Sequence, residues 1–183
     1  MIVHVECLHS GDETYDTINS RYHLRKNQDG CYNDIYSGKL YQNQVASGIL
    51  DNKNNISLIM NTDDIPVFRS SKYSFWPIYL LINELPFRMR ISKENRILAG
   101  LWYGTTKPDM GLFMKPLTEA LKQLYYAGVT VTLPDKRTLL CRAILLCTTC
   151  DLPAKAMILN MTNFNGFYSW CYCLQPGFII MLS

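Results

Sequence analysis

No stretch of this 183-residue chain stays apolar for long. The longest such run, residues 75–82, is eight residues with Pro77 inside it, whereas a membrane-spanning helix needs roughly 20. No membrane partner is expected on that ground. The first residues, Met1-Ile2-Val3-His4-Val5-Glu6, lack the basic start and apolar stretch of a secretory leader, so the expected compartment is nuclear or cytoplasmic. Charge is sparse too. Charged residues make up 18% and the net charge is +3, which permits a nucleic-acid partner without arguing for one. Histidine is limited to His4, His9 and His23, none at ligand or triad spacing with anything downstream. No Gly-rich phosphate loop, dinucleotide fingerprint or Gly-x-Ser-x-Gly elbow occurs, which removes the motif support for nucleotide binding and serine hydrolysis. The seven cysteines are an odd number and, without a leader, read as reduced thiols or metal ligands.

What remains is an ordinary globular composition, 48% hydrophobic, at a length that fits one domain. Residues 1–50 are polar and without a sustained period, broken by Gly30, Gly38 and Gly48. They read as a weakly structured arm, with a short helix near residues 34–44. From Ile56 the texture changes. Residues 56–60, 73–81 and 96–103 are β-rich, and Pro77 in the second run predicts an edge position, a bulge or an early break. Residues 112–127 carry apolar side chains at helical spacing, and Gly128 stands where a helix ends. A short strand over 129–133, a buried strand over 139–147 and a helix over 152–160 complete the reading. The fold class expected is mixed α/β. The apolar ending, Phe178-Ile179-Ile180-Met181-Leu182-Ser183, gives the expectation of a domain truncated at its C-terminus.

Two carboxylates stand out. Asp63 follows the first buried strand and Asp151 follows the later one, so both can meet at one sheet edge and hold a hard cation. The competing reading is local: aspartate favours turns, and Asp151 before Leu152-Pro153-Ala154 can simply cap a helix. Cys147-Thr148-Thr149-Cys150 and Cys171-Tyr172-Cys173 offer four thiols for a structural zinc, against the routine burial of free cysteine. Arg69, Lys72, Lys107 and Lys155 flank the carboxylate edge and suit phosphate contacts, or are simply solvated. Trp76, Trp102, Tyr103 and Trp170 can stack bases, or serve the core and its rim.

Many short motifs in one order resemble transposases of the CACTA (En/Spm) superfamily. They include Asn61-Thr62-Asp63, Ile65-Pro66-Val67-Phe68, Trp76-Pro77-Ile78-Tyr79 and Ile82-Asn83-Glu84-Leu85-Pro86. Further along come Ala99-Gly100-Leu101-Trp102-Tyr103-Gly104, Lys107-Pro108-Asp109-Met110 and Cys150-Asp151-Leu152-Pro153-Ala154-Lys155. The resemblance spans about residues 35–177. It implies an RNase H-like core over residues 51–183, incomplete at its end, that uses a DDE triad of carboxylates with Mg or Mn on DNA. On that mapping Asp63 and Asp151 are the first two catalytic carboxylates and metal ligands. The third lies on a later helix that this chain does not reach, while Glu84 and Glu94 do not match its position. Asp64 stands where the family usually has glycine, and Trp170 stands where the first cysteine of the family's Cys-x-x-Cys pair is expected. The implied function is a transposase-derived protein for DNA recombination, inactive as this fragment and open to homo-oligomerisation. The alternative is a non-enzymatic DNA- or protein-binding module.

Overall fold

The structure, a computed structural model, describes residues 12–20, 22–25, 34–66, 73–133 and 135–162. The described chain begins with two helices, α1 (Asp12–Ser20) and α2 (Lys39–Ala46). Strands β1 (Ile56–Thr62), β2 (Ile65–Pro66) and β3 (Ser74–Ile82) follow, then the short helix α3 (Phe87–Arg90), strand β4 (Ile97–Gly104) and the long helix α4 (Met110–Tyr126). A hairpin of β5 (Val129–Thr132) and β6 (Thr138–Cys141) leads to β7 (Ala143–Thr149) and α5 (Leu152–Ile158).

The main sheet is mixed. β3 lies antiparallel to β4 on one side and to β1 and β2 on the other, and β7 lies parallel to β1. This is the mixed α/β class that the sequence predicts. β1 is buried almost throughout because both sheet faces are covered, which is why its residues read as one apolar run rather than an alternation. On one face Ile56, Leu58 and Met60 join Ile78, Leu80 and Ile82 of β3 and Leu117 and Leu124 of α4 in the main core. On the other, Tyr36, Tyr41 and Leu50 pack against Ile144 and Leu146 of β7.

That second cover comes from the segment expected to be a weakly structured arm. Tyr41 and Leu50 have no exposed surface, and Ile18 of α1 is buried in the main core. The short helix expected near residues 34–44 corresponds to α2 and the 3-10 turn before it. Its aromatic residues carry no helical period, so sequence pattern could not reveal that they form a layer.

Pro77 is not at an edge, but the bulge offered as an alternative is present, since the register of β3 with β4 slips between Ile78 and Tyr79 just after it. β3 is flanked on both sides, and the register with β1 carries through into β2, so Asp63 and Asp64 fall opposite Pro77 and Trp76. The strand is broken at those two aspartates, between β1 and β2. The run 139–147 also differs from the single strand expected. It divides at Arg142, whose N–H donates to Asn55 Oδ1 at 2.9 Å and whose carbonyl accepts from Ile56 N at 3.0 Å. One half pairs with β5 and the other with β1.

Helix α4 forms as its pattern predicts. Asp109 caps it, accepting from Leu112 N at 3.1 Å, and Leu117 and Leu124 point into the core. Gly128 ends it with φ +74, and a Cβ there would lie 2.8 Å from the Cys141 carbonyl oxygen. Only glycine meets both demands.

Candidate active site

The parallel pairing of β1 with β7 decides where the two aspartates fall. Asn61 lies opposite Thr149, and Asp63 and Asp151 each follow two residues later. A bulge between Leu58 and Ile59 of the register, where β7 carries one extra residue, brings them level. Asn61 Nδ2 ties the strand ends by donating to the Thr149 carbonyl at 3.0 Å. Both aspartates are exposed.

Each carboxylate is oriented by a backbone N–H. Asp63 Oδ1 accepts from Asp64 N at 2.8 Å, and Asp151 Oδ1 accepts from Ala154 N at 2.7 Å as the N-cap of α5. The capping role weighed for Asp151 is therefore real, and it coexists with the strand-end position. Both carboxylates act on the Cys150 thiol. Burial pushes it up, the Lys155 ammonium pulls it down, and the charges of Asp151 and Asp63 push it up again. All three charges act on one sulfur, so they belong to one neighbourhood.

Lys107 is exposed in the loop before α4, its Nζ 6.0 Å from the centre of the Trp76 ring. Lys155 lies half-buried on α5. Arg69, Lys72, Cys171, Cys173 and Trp170 fall outside the described residues. Trp76 cannot stack a base. It is 1% exposed and packs with Met110 and Ala154, because its position on β3 faces the covered side of the sheet. Trp102 spends its indole N–H on the Thr106 carbonyl at 3.1 Å. Tyr103 is exposed and stacked on Tyr73, with ring centres 5.3 Å apart.

Among the described residues no three His, Cys, Asp or Glu gather into a metal-holding group. A hard divalent cation needs only one or two protein carboxylates when substrate phosphates and water complete its shell, and the Asp63–Asp151 pair offers that donor set. Zinc asks for thiolates. Cys147 and Cys150 are free and partly buried, and Cys171 and Cys173, the other two thiols of that set, fall outside the described residues.

Sequence reasoning missed the role of Glu84. It has no exposed surface, and Oε1 accepts from Tyr41 Oη at 3.0 Å and Ser57 Oγ at 2.8 Å, while Oε2 accepts from Ser57 N at 2.9 Å. Asn83 Nδ2 donates to Ser57 Oγ, which directs the serine proton to the glutamate. Beside it Arg90 grips Asp34 through two bonds of 3.0 and 2.9 Å and donates to the carbonyls of Asn83 and Leu85. The signal available was two polar residues, Asn83 and Glu84, between a buried strand and Leu85-Pro86.

A sequence model described as transposase family tnp2 matches residues 39–182, well over half of the chain. No curated protein and no solved structure matches it. The matched span takes in β1, β7 and both aspartates at their ends. The chain belongs to the transposase family tnp2.

Proposed function

We propose that this chain is a transposase-derived protein with an RNase H-like core of the CACTA type, in which Asp63 and Asp151 hold Mg or Mn for phosphodiester chemistry on DNA. The observation that carries the reading is the level position of the two aspartates past Asn61 and Thr149 on adjacent parallel strands. Further support comes from the order of elements, with three antiparallel strands, a helix, then a strand laid parallel to the first. A divalent ion bound there supplies charge neutralisation at a phosphodiester. The chain's own residues do the rest. Ala154 N and Asp64 N fix the two carboxylates, while Lys107 and Lys155 serve phosphate contact.

By itself the chain does not cleave DNA, on this proposal. Glu84 cannot serve as the third carboxylate, because its oxygens are held by Tyr41 and Ser57 at the opposite end of β1. Glu94 precedes β4 at that same far end. Asp64 adds a second acid beside Asp63, which disturbs the charge balance of a two-carboxylate site. Incubation of supercoiled DNA with the purified chain and Mn²⁺ tests this. Binding without nicking is expected, and nicking abolished by Asp63→Asn and by Asp151→Asn would overturn the inactivity while keeping the site.

A further inference from the structure

One face of the main sheet leaves a group of aromatic rings in solvent. The register sets Ile65 opposite Phe75 and Phe75 opposite Tyr103, so these three stand side by side on one face across β2, β3 and β4. Tyr103 stacks on Tyr73 at 5.3 Å with 15° between the ring planes, and Phe75 tilts against Tyr103 at 5.0 Å. Leu101, two residues before Tyr103, extends the same surface. Tyr103 is 55% exposed, Leu101 52%, and Tyr73 and Ile65 46% each. The layer formed by residues 34–50 packs on this face too, but against Ile144 and Leu146 of β7, on the far side of β1 from the rings. A connected exposed patch of this kind marks a contact site.

The patch is continuous with the candidate active site. Asp63 falls opposite Pro77, and Phe75 is the next position of β3 on that face, about 7 Å along the strand. A DNA strand with a phosphodiester at the aspartates therefore carries its neighbouring nucleotides over the rings. Those rings offer flat π-faces, which stack on any base that has left its pair. In a duplex the bases stack on one another and have no free face to give. Asp63 and Asp64 border the patch and are exposed, so they repel the phosphates of that strand unless a cation offsets them. We propose that Tyr103, Tyr73 and Phe75 form a stacking platform for unpaired bases of a DNA strand whose phosphodiester lies at the aspartates. The choice of DNA rests on the function proposed above.

The test uses the full chain and a fluorescein-labelled single strand of roughly 16 nucleotides, with its duplex as control, in fluorescence anisotropy. It is run on the parent with Mn²⁺ and on Asp63→Asn/Asp64→Asn without metal, where the bordering acids no longer repel phosphate. The single strand should bind more tightly than the duplex. Tyr103→Ala and Tyr103→Leu should each weaken it about tenfold or more, the loss of stacking on one base. Tyr103→Phe should keep the affinity, because the ring does the stacking. The salt dependence should stay the same in all three, since no phosphate contact is removed. Tyr103 lies outside the buried core, and circular dichroism checks that the variants stay folded. Tyr103→Leu discriminates most sharply, because it keeps an apolar contact and removes only the ring. The proposal is overturned if Tyr103→Leu binds the single strand as well as Tyr103 does, or if single strand and duplex weaken alike. It also falls if the free chain self-associates and Tyr103→Ala breaks the association, which assigns the patch to a second copy. Tyr103-dependent binding that appears only in the neutralised background supports the platform while refuting the metal site; its absence in both backgrounds overturns the platform.

Discussion

At the start of β1, Glu84 is sealed from solvent and receives bonds from Tyr41, Ser57 N and Ser57 Oγ. At its end, Asp63 and Asp151 stand exposed, each held by one neighbouring backbone N–H. The same side-chain chemistry does opposite work. A buried carboxylate with every donor aimed at it fastens residues 34–50 to the sheet and has nothing left for a substrate. An exposed carboxylate fixed through one oxygen contributes little to stability and stays open to a cation. The difference teaches that acid count alone says little about a catalytic inventory; the bonds each acid already makes decide it.

The largest expected effect is at the sealed end. Glu84→Ala leaves Ser57 N, Ser57 Oγ and Tyr41 Oη without an acceptor, and each such loss costs roughly 1–3 kcal/mol. Urea denaturation should give a loss of about 3 kcal/mol or more, if the variant folds at all. Glu84→Gln should also destabilise, because its amide nitrogen must face a donor. If either variant unfolds like the parent, the contrast between the two ends fails.

Next comes Arg90. Its guanidinium is nearly buried, with 8% of the side chain exposed, and is paired with Asp34, and breaking such a pair costs about 3–5 kcal/mol. Arg90→Lys should recover little, since a single ammonium cannot reproduce the two-pronged grip on Asp34. Tight agreement of Lys and Arg in thermal unfolding would contradict this geometry.

At the open end, charge and capping can be separated. Asp151→Asn keeps a capping oxygen for Ala154 N and should change stability little, whereas Asp151→Ala should cost about 1 kcal/mol. Both should lose divalent-cation binding. A cap-preserving variant that binds Mn²⁺ normally would reduce Asp151 to a helix cap.

The smallest effect is a titration. The Cys150 thiol is pushed up by burial and by Asp151 and Asp63, so Asp63→Asn should lower its pKa and speed alkylation at mildly alkaline pH. The sign for stability follows. A thiol raised on folding contributes stability that is complete below its unfolded value, about 8.5, and lost as pH rises through the folded one. If Asp63→Asn leaves alkylation of Cys150 unchanged, the two aspartates do not share a neighbourhood.

Local pattern made much of this legible. β1, α4 and α5 follow from apolar spacing and caps, and Asp63 and Asp151 are conspicuous as acids after buried strands. What sets the site is the pairing of β1 with β7, and that depends on one extra residue in β7 and on a strand break at Arg142 held by Asn55. Neither leaves a periodic trace, since both halves of the run are apolar. The Glu84 network escaped for a related reason. Its bonds join residues 27 and 43 positions apart, and no window along the chain contains both partners.

The most direct test of a shared cation site is Mn²⁺ binding, followed by electron paramagnetic resonance, in Asp63→Asn, Asp151→Asn and the double variant. One shared site predicts that each single variant loses the binding of the parent and that the double loses nothing further, because groups acting as a unit are not additive. Unchanged binding in Asp63→Asn, or two independent losses that sum in the double variant, would contradict it.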